Sequence, residues 1–236
     1  DCIETLYNVI SQEKVDFVAA GINQIDENEN SLKITNYPNI TRKGKLCMAQ
    51  YFYEEKNDIW VTTWNKLYNL SFLKEFHIHF LEHVYHEDIV MHAMLALNTR
   101  SFTLTNRTTY LYNCKREDSI TNMGQGYTLK HLNDLTIVFS EIRRLIQADN
   151  NLSKHLQKEI NLYYLFEIYH RYLPAMYSNI KRVDLIKGLA RLSQNCIPPI
   201  LETRLTLKSI KRFLFLKLPF SIQYLIKSHK YKNDRT

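Results

Sequence analysis

Apolar residues recur at helical spacing from the start of the chain, where "CIETLYNVISQEK" (2–14) sets Ile3, Leu6, Val9 and Ile10 on one face. The period then changes. "VDFVAAG" reads as a buried strand ending at Gly21, and "INQIDENENSLKI" as a hairpin whose arms flank the polar tip Asp26–Ser31. Residues 42–53 carry a weakly marked helix. In "WNKLYNLSFLKEF" (64–76), Leu67, Leu70 and Leu73–Phe76 fall at helical spacing. A polar loop follows Phe80, and "EDIVMHAMLALN" then predicts a helix. Its acids lie in the first turn, where the helix dipole favours negative charge. "SFTLTNRTTYLYNC" alternates and is rich in Thr and Tyr, which predicts two short strands.

Near residue 128 the character shifts. "YTLKHLNDLTIVFSEIRRLIQ", "KHLQKEINLYYLFEIYHRYL" and "IKRVDLIKGLARLSQ" are three long helical patterns, followed by the break at Pro198 and Pro199. The patterning therefore predicts an α/β portion over residues 1–127 and a helical region over 128–236. Within 208–232, lysines such as Lys208, Lys211 and Lys227 alternate with Phe213, Leu214, Leu218 and Ile222. A basic amphipathic segment of this kind lies in an anionic membrane interface, or packs on its own domain with the lysine heads reaching water. Both readings stay open, and Pro219 should interrupt the helix in either.

Composition narrows the field. With 236 residues, 45% hydrophobic and 23% charged, the chain buries a core and is not disordered. Five glycines weigh against a complete nucleotide-binding α/β domain with its own glycine-rich phosphate loop. Four scattered cysteines form no CxxC pair, which suggests free thiols in a reducing compartment. No signal peptide opens the chain and no apolar run approaches the ~18 residues that span a bilayer, so the expected location is cytoplasmic. The net charge of +7 gathers in 181–235 without a zinc-finger or RRM pattern, so nucleic acid is not an expected partner. A first residue of Asp1 in place of Met suggests a fragment or a processed product.

The stretch "HIHFLEHVYHED" (77–88) holds four of the nine histidines, and His92 comes four residues later. Zinc proteases need HExxH, and here the histidine after His86–Glu87 is His92, so the spacing does not support zinc. On local grounds Glu87 and Asp88 are ordinary helix-start acids.

The wider context gives them another meaning. Trp64, Lys66, Leu67, Tyr68, Phe72, Leu73, Ile78, Phe80, Glu87 and Asp88 match in order a pattern shared by many bacterial family 2 glycosyltransferases, W-x-K-L-[YF] leading to F-L, I-x-F and then E-D before an apolar helix. "TTYLYNCKREDSIT" is similar to that family's LYxYRxRxxSIT segment through Tyr110, Tyr112, Arg116, Ser119, Ile120 and Thr121, with Asn113 where the first arginine stands. "DCIETLYNVISQEKVDFVAAG" resembles the helix, and the strand ending in glycine, that come after the family's DSDD metal motif. The resemblance covers about residues 1–125.

It implies a GT-A (Rossmann-like) fold, of which this chain would hold the acceptor-side part without the nucleotide-binding half. It implies an inverting glycosyltransferase of hexosyltransferase type, using a nucleotide-sugar donor and a glycan or lipid-linked acceptor. The setting would be bacterial surface polysaccharide or lipooligosaccharide synthesis, and a lipid-linked acceptor there would make sense of the membrane reading of 208–232, a peripheral membrane contact. A base deprotonates the acceptor hydroxyl, and a divalent cation, Mn2+ or Mg2+, neutralises the departing diphosphate. The resemblance gives Asp88 the base role and places Glu87, Trp64 and Lys66 on the acceptor side. It sets Arg116 at the donor diphosphate and Asp1 as a remnant metal ligand, the other ligands belonging to the missing motif. On this reading the chain alone is inactive. Taken singly, Trp64 is equally a core residue, Lys66 a solvated helix lysine, and Arg116 a surface ion-pair partner of Glu117 or Asp118. Two other classes compete: a non-catalytic helical module binding membrane or nucleic acid through its tail, and a metal hydrolase built on the histidines.

Overall fold

The computed structural model describes residues 2–114 and 127–233, with side chains through 227. The chain divides into two compact units, residues 1–82 with 87–124, and residues 83–86 with 125–236. The first is mixed α/β and the second helical, the fold class that the patterning predicts.

The α/β unit runs α1 (Cys2–Glu13), β1 (Phe17–Ile25), β2 (Ser31–Thr35), β3 (Ile40–Lys43), α2 (Cys47–Ala49), β4 (Lys66–Tyr68), α3 (Leu70–Glu75), α4 (Glu87–Asn98) and β5 (Ser101–Asn113). A π-helical turn, Gln50–Glu54, extends α2. The sheet order is β2-β1-β5-β3, with β1 and β5 parallel and the remaining pairs antiparallel. Strand β1 is central, and its near-continuous apolar run is buried on both faces. One of its edges pairs with β5 along its length; the other is shared, Phe17–Ala19 taking β4 and Ile22–Ile25 taking β2.

Gly21 stands where that shared edge changes partner. A Cβ there would lie 2.7 Å from the Thr35 carbonyl oxygen, so the glycine permits a close backbone approach and does not end the strand as expected. Nor does β5 split in two. Its pairing with β1 slips between Ala20 and Ile22, absorbing Asn106, Arg107 and Thr109 as irregularities within one long strand. The helix expected over 64–76 is β4 followed by α3, because Lys66–Tyr68 pairs with β1 and Asn69 then caps α3 by accepting from the Ser71 N–H at 3.0 Å. Helix α4 buries every residue from Ile89 to Ala96, so it runs through the core.

The helical unit comprises α5 (Leu129–Ala148), α6 (Lys154–Met176), α7 (Arg182–Asn195), α8 (Leu207–Lys217) and α9 (Phe220–Asn233). Thr128, Ser153 and Thr206 cap α5, α6 and α8. The expected interruption at Pro219 separates α8 from α9. Residues 83–86 also belong here: the Tyr85 ring stacks on His131 at 4.1 Å, and its N–H donates to Asp134 Oδ2 at 2.9 Å.

Candidate functional site

Glu87 and Asp88 form the first turn of α4 and are both half-buried. The Asp88 carboxylate acts on the ammonium of Lys66, which opens β4. Lys66 is only 8% exposed, and its three N–H groups are all used. They donate to the carbonyls of Trp60 at 2.7 Å and Thr62 at 2.5 Å and to Asn65 Oδ1 at 2.8 Å. Burial pushes this ammonium down to about 7, against the pull of Asp88 and Asp58. The lysine is neither solvated nor on a helix. It ties the 60–65 segment to the sheet, close enough to Asp88 to feel its charge.

Two further ties fix the same segment. Asn65 is fully buried; its Nδ2 donates to the Ala20 carbonyl at 2.9 Å, and its own carbonyl accepts from the Ala20 N–H at 3.0 Å. Tyr37 Oη accepts from the Trp60 N–H at 2.9 Å, and burial raises that phenol to about 12, so it stays protonated.

The segment so held displays aromatic rings. Trp64 stacks on Tyr110 with centroids 4.0 Å apart and lies 5.4 Å from Tyr112, tilted by 31°. Trp60 meets Trp64 edge-on at 6.1 Å and Tyr112 at 6.4 Å. All four rings are half-buried, so together they make a partly exposed aromatic wall. Sequence reasoning singled out Trp64 and missed Trp60, Asn65 and Tyr37. A signal existed for the wall: Tyr110 and Tyr112, two apart on one strand, point to the same face, and the chain's only two tryptophans lie within one short segment.

His92, one turn beyond Asp88, is 1% exposed and edge-on to Phe52 at 4.7 Å. Neither ring nitrogen has a hydrogen-bond partner, and burial, with help from Lys66, depresses it to about 3. It is a neutral core residue. His77, His79 and His83 are exposed, and His77, His83 and His86 hold left-handed backbone (φ 50°, 60° and 66°), a conformation in which histidine is enriched. Much of the histidine-rich stretch thus serves turns. Among the described residues no three His, Cys, Asp or Glu side chains converge to hold a metal ion, so they offer no cradle for the expected cation. Asp1 and Arg116 lie outside the described residues. A cleft of about 440 Å³ lined by Val9, Glu13, Thr41 and Thr103 contains none of the candidate residues.

No protein-family model matches the chain, and no curated protein matches its sequence. Solved structures do. S. aureus TarS 1-349 in complex with UDP-GlcNAc superposes with a TM-score of 0.60 at 13% identity, covering 96% of this chain and 64% of that one. TarS 1-349 in complex with UDP gives 0.60 at 13%, covering 97% and 63%; TarS 1-349 alone gives 0.58 at 14%, covering 91% and 60%. The chain thus spans somewhat under two thirds of each TarS chain. At this identity the likeness shows the fold alone, the one that the TarS 1-349 structures share.

Proposed function

We propose that this chain forms the acceptor side of an inverting, family 2-type glycosyltransferase of GT-A fold. The observation that carries the proposal is the convergence of Asp88, buried Lys66 and the Trp60–Trp64 segment within one unit. Asp88 accepts the proton of an acceptor hydroxyl, the freed oxygen bonds to the anomeric carbon, and the anomeric C–O bond to the diphosphate breaks, releasing the nucleoside diphosphate. The aromatic wall offers flat apolar faces to an acceptor sugar ring. Glu87 positions the acceptor beside Asp88, while Lys66 serves the acceptor side indirectly by holding Trp60 and Thr62 in place. The TarS complexes support a UDP-sugar as donor. Arg116 as a contact to the diphosphate and Asp1 as a ligand of Mn2+ or Mg2+ rest on the sequence resemblance. So does an acceptor that is a glycan or lipid-linked sugar of a bacterial surface polysaccharide.

The test is transfer or hydrolysis of UDP-sugars by the full-length parent protein with Mn2+, beside Asp88→Asn and Glu87→Gln. Loss of about 10²–10⁴-fold in kcat for Asp88→Asn, with unchanged melting, is expected of a general base. Undiminished turnover in that variant would remove Asp88 from the role.

A further inference from the structure

Helix α8 has a face that the reaction does not use. One side of it, Ser209, Phe215 and Leu216, is buried in the helical unit, with Phe215 edge-on to Tyr169 at 5.6 Å. The opposite side is not polar, as a solvated helix face should be. Leu207 is 78% exposed, Leu214 57% and Ile210 37%. Their i, i+3, i+7 spacing sets them in one line along the helix. Lys208 and Lys211 run along one side of the line, both exposed, and among the described residues neither has a hydrogen-bond or ion-pair partner. The other cations of α8 are engaged: the Arg212 guanidinium lies 3.8 Å from the Phe166 ring centroid, and Lys217 Nζ donates to the Ser193 carbonyl at 3.0 Å. The helix carries no acid. Its unengaged charges are therefore the two beside the exposed apolar line.

We infer that this face of α8 seats in the interface of an anionic lipid bilayer, with the leucines among the acyl chains and the two lysines at the headgroup phosphates. Charge complementarity selects that occupant. Two unengaged lysines without an accompanying acid suit a uniformly anionic surface that asks for no fixed geometry, and an apolar line beside them suits a layer with an oily interior. Among the described residues no helix is long and apolar enough to cross a membrane, so the contact inferred lies in the membrane plane.

Co-sedimentation of the full chain with vesicles of phosphatidylcholine, and of phosphatidylcholine doped with phosphatidylglycerol, tests the inference. Binding is expected only to the doped vesicles, and salt should weaken it. The pairs Leu207→Ser/Leu214→Ser and Lys208→Gln/Lys211→Gln should each lower the partition coefficient by about tenfold or more. All four positions are exposed, so both variants should melt with the parent. Wild-type-like vesicle binding by the leucine pair overturns the inference. So does self-association of the parent that the leucine pair abolishes, since a second copy would then cover the face. Failure of the transferase reading would leave vesicle binding intact, so the two stand or fall separately.

Discussion

The Trp64 ring lies on Tyr110 with centroids 4.0 Å apart and planes 28° apart, so one of the chain's two tryptophans is held flat against the end of β5. Aromatic pairs of this kind contribute about 0.5–1.5 kcal/mol beyond burial, enough to fix the ring before any ligand arrives. With Trp60 in the same wall, both tryptophans of this chain report on the site. Trp64→Ala should raise the acceptor KM about tenfold while leaving the donor KM unchanged. An acceptor oligosaccharide should quench emission saturably. Equal quenching by UDP alone would show that the wall serves the donor.

Lys66 gives a pH signature. Its ammonium falls from an ordinary 10.5 to about 7 on burial, so between those values the unfolded chain binds the proton that the folded chain has released. Stability should therefore rise as pH climbs from about 7 towards 9, by at most about 1.4 kcal/mol per pH unit from this group. Lys66→Met should lose about 1–3 kcal/mol at neutral pH, because it strands the carbonyls of Trp60 and Thr62. The variant should also lose the rise. Urea midpoints at pH 7 and pH 9 decide the matter: parallel shifts in parent and variant would mean that the carbonyl oxygens keep the ammonium charged.

His92 should be dispensable to the fold. Phenylalanine would keep the ring against Phe52 and remove two buried nitrogens that lack partners, so His92→Phe is expected to stabilise by about 1 kcal/mol at pH 7. Unfolded histidine takes up a proton near 6.5, whereas His92 resists until about 3, so its contribution is lost as pH falls through that window. The variant should accordingly tolerate acid better. His86, lowered to about 4 by burial, leaves part of the sensitivity in place. A lower melting temperature for His92→Phe would instead point to a bridging water on the imidazole.

Gly21→Ala probes the shared edge of β1. Its new methyl would meet the Thr35 carbonyl at 2.7 Å, and a backbone atom in a paired strand yields little. A loss of about 1–3 kcal/mol is expected from urea unfolding. A change below about 0.5 kcal/mol would show that the β1–β2 hairpin shifts freely.

Periodicity made the long helices and α4 legible, and the acid-and-asparagine tip of the first hairpin was equally plain: Asp26 Oδ1 accepts from the Asn28 and Asn30 N–H groups at 2.9 and 2.8 Å, a turn that such residues build by themselves. Strand β4 could not be read in this way. Three residues carry no period, and Lys66–Tyr68 is a strand only because β1 lies beside it. The continuity of β5 was hidden for a related reason, since the polar Asn106 and Arg107 mimic a turn unless the pairing on either side is known. The acids at the start of α4 were legible as acids. Their relation to a buried ammonium was not, because a lysine's burial depends on three acceptors that the loop supplies only once folded.

The chain changes unit three times, before His83, after His86 and before Gln125. A domain joined by a single linker can be moved to another protein as a cassette. This one cannot, because the short excursion carries Tyr85, whose ring and N–H are matched to His131 and Asp134 of α5. Lys130 Nζ adds a bond to the His83 carbonyl at 2.8 Å. A graft of the helical region onto a foreign scaffold must bring those four residues with it, and they can be brought only by cutting the scaffold just ahead of its own Glu87–Asp88 counterpart. Divergence of the helical region is thereby tethered to the loop that leads into the proposed base.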